Sequence, residues 1–239
     1  ELNEAAGLKA GTFAVQQQVK AAETAIAGAY RAKGFSTATV TGSSTLDEGT
    51  NTLAVSFAIE EGRQEKVVET AFEGNGNMTA QLLRKQLKTK QQSLFNAGTY
   101  QEATVTEDKA ALAAFYQKNG YIDAKVTEVR KEDVSQESDA DRRLRLVYVV
   151  EEGEQWSLGT ITVEGNEVFG DERVNALLTL RSGSVLNVEA VNTQVARIAD
   201  LYWNDGYIYN SIDTKQVRHE ETKTVDFVIS ITERQQAVV

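Results

Sequence analysis

The residue types that could carry catalysis or bind a transition metal are scarce in this chain. It has 239 residues, no cysteine and a single histidine, His219. A nucleophile with its base, or a metal held by histidine and cysteine, needs more such groups than this. His219 stands in the polar run Arg218-His219-Glu220-Glu221, which predicts a solvated hairpin loop. We therefore expect no catalytic residue, no metal site and no cofactor.

A glycine-containing run, Gly74-Asn75-Gly76-Asn77-Met78-Thr79, lies between a predicted strand and a predicted helix, where a phosphate-binding loop would stand. It lacks the third glycine of a dinucleotide loop and the parallel βαβ context around it. A related run, Gly165-Asn166-Glu167-Val168-Phe169-Gly170, shares only the first two residues. The common feature predicts a tight Gly-Asn turn rather than a nucleotide site.

The charged run from Lys131 to Arg143 holds acidic residues that could bind calcium. They lack the alternating acidic order that bends a loop around the ion, so we interpret the run as a solvated loop. The formal net charge of the chain is −10. A surface of that sign repels phosphate backbones, so we expect no nucleic-acid partner.

The wider organisation of the chain is a repeat. A tyrosine, three residues, a glycine and an aromatic residue recur with a period of 86 residues. The three copies are Tyr30 to Phe35, Tyr116 to Tyr121 and Tyr202 to Tyr207. Before each glycine, apolar residues at helical spacing predict an amphipathic helix, and the glycine supplies the positive φ that ends it.

Strand patterns follow each glycine. Strict alternation of apolar residues predicts half-buried strands at Leu53 to Ile59, Leu144 to Val150 and Val225 to Ile231. In the order strand, helix, helix, strand, strand, each complete copy makes three strands and two helices that cover one face of the sheet. We therefore predict an α+β fold with tandem two-layer units, each a three-stranded mixed sheet under two antiparallel helices.

The predicted domains follow the repeat. The first, residues 1–64, lacks its first strand and part of its first helix; the second, 65–155, is complete with two loop insertions; the third, 156–235, is complete. One insertion lies around Gln91 to Gly98 and the other is the charged run already described. The joints between copies are short and equal, so we expect limited hinge motion.

The motifs together resemble a known family. They are the Gly-Asn turn after the first strand, a helix closing on Leu-Lys/Arg-x-Gly in the first and third copies, the Tyr-x-x-x-Gly-aromatic passage, and an alternating strand that ends in Glu-Glu-Gly in the first two copies. In three copies with one register they resemble the POTRA domains of BamA-type outer-membrane barrel assembly proteins. The resemblance covers residues 1 to about 235.

The resemblance implies that the second strand of each copy lies at a sheet edge, at residues 35–41, 121–130 and 207–217. An edge strand offers unpaired N–H and C=O groups to an extended peptide, or carries charges that prevent such pairing. The implied peptide-binding residues are Phe35, Thr37 and Thr39; Tyr121, Asp123, Lys125 and Thr127; and Tyr207, Tyr209 and Ser211.

The resemblance also implies a function without enzymatic activity. It implies a scaffold at the periplasmic face of the outer membrane, with unfolded outer-membrane protein precursors, accessory assembly lipoproteins and a C-terminal membrane barrel of the same protein as partners. POTRA regions of a TamA-type translocation factor, a two-partner secretion transporter or a division-type scaffold protein are the alternatives. A single POTRA domain is typical of division proteins and a pair of secretion transporters, so three copies favour barrel assembly.

Overall fold

The computed structural model describes residues 4, 6–8, 16–50 and 52–237. The predicted remnant of a first helix in the first copy falls mostly on residues 1–15, and so lies largely outside the described residues. Two compact units divide the chain, one made of residues 1–73, 78–110 and 127–149 and the other of 74–77, 111–126 and 150–239. The middle copy contributes segments to both units.

The first copy contains helix α1, Gln16–Ala32, and strands β1, Thr39–Asp47, and β2, Thr52–Glu60. The strands form an antiparallel hairpin whose register pairs Thr39 with Glu60. Val19, Ala22 and Ile26 are buried on one side of α1, as their spacing predicts. Gly34 follows the helix with φ of 90°, which confirms the predicted glycine stop.

The middle copy runs β3 (Glu65–Glu73), α2 (Ala80–Arg84), α3 (Glu102–Lys118), β4 (Lys125–Asp133) and β5 (Arg142–Glu151). The sheet order is β3-β5-β4, and β3 lies parallel to β5. Helix α2 is a short turn capped by the Thr79 side chain, which accepts a hydrogen bond from the Leu82 N–H. Leu144, Leu146 and Tyr148 of β5 are fully buried, so β5 is the central strand of the core.

The third copy repeats this order with β6 (Ser157–Glu164), α4 (Asp171–Asn175), α5 (Val188–Asn204), β7 (Ser211–His219) and β8 (Thr224–Thr232). Strand β8 lies between β6, to which it is parallel, and β7, to which it is antiparallel. Residues 225, 227, 229 and 231 of β8 are buried beneath the helices, as the alternation predicts. The predicted α+β fold with three-stranded mixed sheets is thus confirmed.

The core of the third copy has two parts along β8. One surrounds Trp156 and Phe227 near the start of the copy, and the other surrounds Tyr202 and Ile229 near its end. Helix α5 contributes Val191 to the first part and Ile198 and Tyr202 to the second. A single helix therefore fastens both ends of the sheet.

Candidate peptide-binding edge strands

The second strand of each complete copy lies at a sheet edge. Strand β4 borders only β5, and β7 borders only β8, within the part of the chain that the structure describes. In the first copy β1 pairs with β2 in a two-stranded sheet. The edge position implied by the family resemblance is therefore present.

The strands begin later than predicted. Among the predicted site residues, Thr39, Lys125, Thr127 and Ser211 lie on strands. The other six occupy the turn before each strand: Phe35, Thr37, Tyr121, Asp123, Tyr207 and Tyr209. The assignment of these six to edge strands was wrong.

The cause is a compact turn after each glycine. The aromatic N–H groups of Phe35, Tyr121 and Tyr207 return to the carbonyls of Tyr30, Tyr116 and Tyr202, at 2.9–3.1 Å. Each aromatic carbonyl then accepts a hydrogen bond from the residue three positions on, such as Ala124 at 3.1 Å from Tyr121. Because of these bonds, the four residues from the aromatic residue onward form a turn. Each strand begins only at the next residue, such as Lys125 after Ala124.

The direction of the backbone groups in β7 follows from one hydrogen bond. The Ser157 N–H of β6 donates to the Lys223 carbonyl at 2.9 Å. Across the trans peptide the Thr224 N–H points the opposite way, toward β7. Thr224 opposes His219 in the register, and by alternation the odd-numbered residues of β7 face β8. The even-numbered residues, from Ile212 to Arg218, therefore direct their N–H and C=O groups away from the sheet.

The first copy supports this direction independently. Gly42 of β1 lies two repeat periods before Thr214, and its N–H donates to Glu23 Oε1 of α1 at 2.6 Å instead of to β2. The outward position is therefore the same in both copies. In β1 that group is already occupied by the helix carboxylate, which makes β1 a poorer edge for an added strand.

The predicted residues and the outward-facing ones differ by one position. Ser211, Lys125 and Thr39 hold equivalent, odd-numbered places, and Ser211 pairs with Thr232 of β8. Sequence reasoning missed Ile212, Thr214 and Gln216. The alternation in the sequence places the Ile212 side chain on the core face of the strand. The direction of its N–H depends also on which side of β7 the neighbouring strand β8 occupies, and the sequence does not give that side.

The end of β7 is held by charges. Arg218 Nη1 donates to Asp123 Oδ1 at 2.8 Å, and the guanidinium lies over the Trp156 ring. His219, predicted in a solvated loop, instead ends β7, and its Nε2 lies 2.8 Å from Asp226 Oδ2. These contacts leave residues 212–216 as the accessible stretch of the edge.

A tyrosine and a glutamate fix the helix to the sheet in both complete copies. Tyr116 donates its hydroxyl proton to Glu152 at 2.8 Å, and the same carboxylate accepts the Asn77 N–H of the Gly-Asn turn at 3.0 Å. Tyr202 and Glu233 repeat the arrangement, and Tyr116 and Tyr202 are fully buried. Each of these two tyrosines therefore ties the end of its helix to the residue that follows the central strand of the sheet.

Burial, followed by the hydrogen bond to a carboxylate, raises the pKa of Tyr116 and Tyr202 above the usual value of 10.0. Unfolded tyrosines lose their protons near that value while the folded ones keep them, so stability falls as the pH rises beyond it. Above pH about 10 we expect the free energy of unfolding to fall by up to about 1.4 kcal/mol per pH unit for each tyrosine, and the melting temperature to decrease with it.

Melting curves recorded at increasing alkaline pH test this expectation. Tyr202→Phe should flatten the decrease, whereas Tyr209→Phe, at a side chain that is 66% exposed, should leave it unchanged. A melting temperature that is independent of alkaline pH in the wild type would contradict the role assigned to the buried phenols.

A second repeated contact stands at the end of each copy, and we call it the joint clamp. A glutamine side chain donates to the carbonyl before the helix-ending glycine, and the next N–H donates to the glycine carbonyl. The glutamine bonds are Gln64 to Lys33 at 2.6 Å, Gln155 to Asn119 at 3.0 Å and Gln236 to Asp205 at 2.7 Å. The N–H bonds are Glu65 to Gly34 and Trp156 to Gly120 at 2.8 Å, and Ala237 to Gly206 at 2.9 Å.

The described residues hold no group of histidine, cysteine, aspartate or glutamate side chains that could bind a metal ion. Among them there is also no helix long and apolar enough to cross a membrane.

Comparison with known proteins identifies the family. The POTRA family model, described as a surface antigen variable number repeat, matches residues 1–62, 66–153 and 157–234. A putative outer membrane protein assembly factor of Treponema pallidum is 32% identical over 233 residues, which cover 97% of this chain and 28% of that protein. The outer membrane protein assembly factor BamA of Neisseria meningitidis is 27% identical over 187 residues, 76% of this chain and 23% of that protein.

Solved structures agree with the fold. The POTRA3-5 crystal structure of Haemophilus influenzae BamA has a TM-score of 0.50 and 20% identity, over 95% of this chain and 84% of that one. The BamA structure of Haemophilus ducreyi lacking POTRA domains 1-3 has a TM-score of 0.52 and 19% identity, over 71% of this chain and 29% of that one. The chain spans less than a third of the length of the curated relatives named above. It belongs to the POTRA family.

Proposed function

We propose that this chain is the periplasmic polypeptide-binding region of an outer-membrane β-barrel assembly protein, and that β7 binds unfolded barrel precursors by strand addition. The relatives named as assembly factors support the first part of this proposal. The outward-facing backbone of β7 carries the second. The region acts as a scaffold without catalysis, beside accessory lipoproteins and the membrane barrel of the intact protein.

The accessible stretch of β7 matches the needs of a transient binder. Ile212, Thr214 and Gln216 each offer one N–H and one C=O, which allows up to about six backbone hydrogen bonds. Each such bond contributes roughly 0.5–1.5 kcal/mol net. After the entropy of ordering the peptide is subtracted, an affinity on the order of micromolar to millimolar remains. Backbone pairing of that strength accepts many sequences and releases them again.

Charges along the same strand define the competing interpretation. Asp213 and Lys215 flank the central outward-facing residue, and edge charges commonly prevent sheets from pairing with one another. Both side chains are exposed and lie on the face opposite the core. They leave the plane of the outward hydrogen bonds open, so an incoming strand with alternating small residues still fits beside them.

Proline at Thr214 tests the proposal because it removes one outward N–H and leaves the ladder to β8 intact. We expect Thr214→Pro to weaken binding of an extended barrel-strand peptide by about fivefold or more. The melting temperature should change little. Titration of the peptide, followed by backbone amide NMR shifts, should place the wild-type changes on residues 212–216.

Two matched variants complete the experiment. Thr214→Ala keeps the N–H and should bind like the wild type, whereas Lys215→Pro removes a ladder N–H and should destabilise the sheet. Equal peptide affinity for Thr214→Pro and Thr214→Ala would exclude strand addition at this edge. So would shifts confined to the helices, or no binding by the wild type.

A further inference from the structure

The insertion of the middle copy carries an exposed apolar pair at its tip. Leu94 is 96% exposed and Phe95 is 99% exposed. A two-residue turn presents them, closed by the hydrogen bond from the Ser93 N–H to the Asn96 carbonyl at 2.8 Å. Adjacent large apolar side chains with almost no protein contact lose the stabilisation that burial normally gives, so they point to a partner surface.

The backbone around the tip holds it away from the core. The Gln92 N–H donates to the Val67 carbonyl at 2.7 Å, and the Val67 N–H donates to the Gly98 carbonyl at 2.6 Å. The insertion is thereby fastened to the free edge of β3 on both sides of the turn. The apolar pair is presented in a defined geometry, so binding would cost little ordering entropy.

The surrounding charge is opposite in sign to that of the whole chain. From residue 74 to 101 the sequence has no acidic residue and four basic ones, Arg84, Lys85, Lys88 and Lys90, in a chain of net charge −10. Lys88 pairs with Glu107 at 2.9 Å. Lys85 and Lys90 make no ion pair among the residues that the structure describes, so their charges stay available.

One of these cations lies beside the base of the insertion. Arg84 Nε and Gln91 Nε2 both donate to Thr70 Oγ1, at 3.2 and 2.9 Å. The end of α2 and the start of the insertion therefore meet on the same residue of β3. The insertion that carries the apolar tip therefore begins beside the basic end of α2.

We infer that the Leu94–Phe95 tip and the basic residues behind it bind an anionic phospholipid surface, which goes beyond the proposed function. A protein interface needs roughly 800 Å² on each side, and two side chains supply less than half of that. A bilayer needs no matching pocket. Its headgroup region accepts apolar side chains at shallow depth, and its negative charge attracts lysine and arginine.

Flotation with lipid vesicles tests the inference. The wild-type chain should bind phosphatidylcholine vesicles containing about one third phosphatidylglycerol, and bind pure phosphatidylcholine several-fold less. Leu94→Ser with Phe95→Ser should lower binding at least about tenfold. Lys85→Gln with Lys90→Gln should lower it roughly fivefold per lysine at low salt. All four side chains are exposed, so these variants should keep the wild-type melting temperature.

Matched controls separate the tip from general effects of charge and hydrophobicity. Leu46→Ser with Tyr209→Ser removes another exposed aliphatic and aromatic residue, and Lys20→Gln with Lys215→Gln makes the same change in net charge elsewhere. Both should bind vesicles like the wild type. The inference is overturned if the wild type ignores anionic vesicles, if the tip variant binds equally well, or if the controls lose as much binding.

Insertion depth gives a direct readout of the tip itself. In the difference between the emission of the Phe95→Trp variant and that of the wild type, which contains Trp156 and Trp203, the added tryptophan should shift to shorter wavelength on anionic vesicles and be quenched by brominated lipid chains. An unshifted emission in the presence of bound vesicles would show that the tip stays in water. In that case the apolar pair serves a protein partner and the lipid assignment is wrong.

Discussion

Tyr116→Ala is expected to lower the free energy of unfolding by about 3–5 kcal/mol. The ring is fully buried, and it lies edge-on to Tyr121 with their centroids 5.8 Å apart. Its hydroxyl also donates to Glu152, a buried carboxylate that would lose this partner in the variant. Chemical denaturation followed by circular dichroism measures the change.

Two other tyrosine variants separate the contribution of the buried ring from that of its hydroxyl group. Tyr116→Phe keeps the ring and removes only the hydroxyl, so it should cost about 1.5–3 kcal/mol, the range for a hydrogen bond to a charged group. Tyr209→Ala removes an exposed ring and should be nearly neutral. If Tyr116→Ala were no more harmful than Tyr209→Ala, the tyrosine would not fasten the helix to the sheet.

Gly120→Val should destabilise the chain by roughly 2–5 kcal/mol through two separate causes. The residue has φ of 88°, a conformation that β-branched residues strongly resist. A Cβ there would also lie 2.8 Å from the Trp156 carbonyl oxygen and 2.8 Å from Val185 Cγ1. The Trp156 N–H to Gly120 bond of the joint clamp would be disturbed as well.

Gly183 separates the two causes because its φ is 81° and a Cβ at this position would have no neighbour within 4 Å. Gly183→Val should therefore report the backbone strain alone and cost less than Gly120→Val. Asn119→Ala, next to Gly120, loses only the side-chain bond to the Phe115 carbonyl at 2.8 Å and should cost about 1 kcal/mol. Equal thermal shifts for Gly120→Val and Asn119→Ala would remove the assigned role of the glycine.

Much of the fold could be predicted from the repeat. The spacing of Val19, Ala22 and Ile26 predicted the buried side of a helix, and the alternation of Val225, Phe227 and Ile229 predicted a strand with one buried face. Both signals arise from burial on one face, which leaves a period in the sequence. The order of elements followed because the same signals recur after 86 residues.

The candidate site could be predicted only in part, for a physical reason. Tyr121 and Tyr207 are aromatic and precede β-prone residues, so they read as strand residues, but their N–H groups close a turn with the preceding tyrosines. Hydrogen bonding of this kind leaves no period in the sequence. The outward direction of Thr214 depends on the placement of β8, which is a tertiary fact. Leu94 and Phe95 look like core residues by type, and only the structure shows them exposed.

The joint clamp has a consequence for how such proteins evolve. It uses main-chain carbonyls, main-chain N–H groups and one glutamine, and Gln64, Gln155 and Gln236 satisfy it with different neighbours. An in-frame gene duplication of one copy would carry its own donor at one end and its own glycine carbonyl at the other. The clamp bonds of a new copy would therefore form without compensating substitutions.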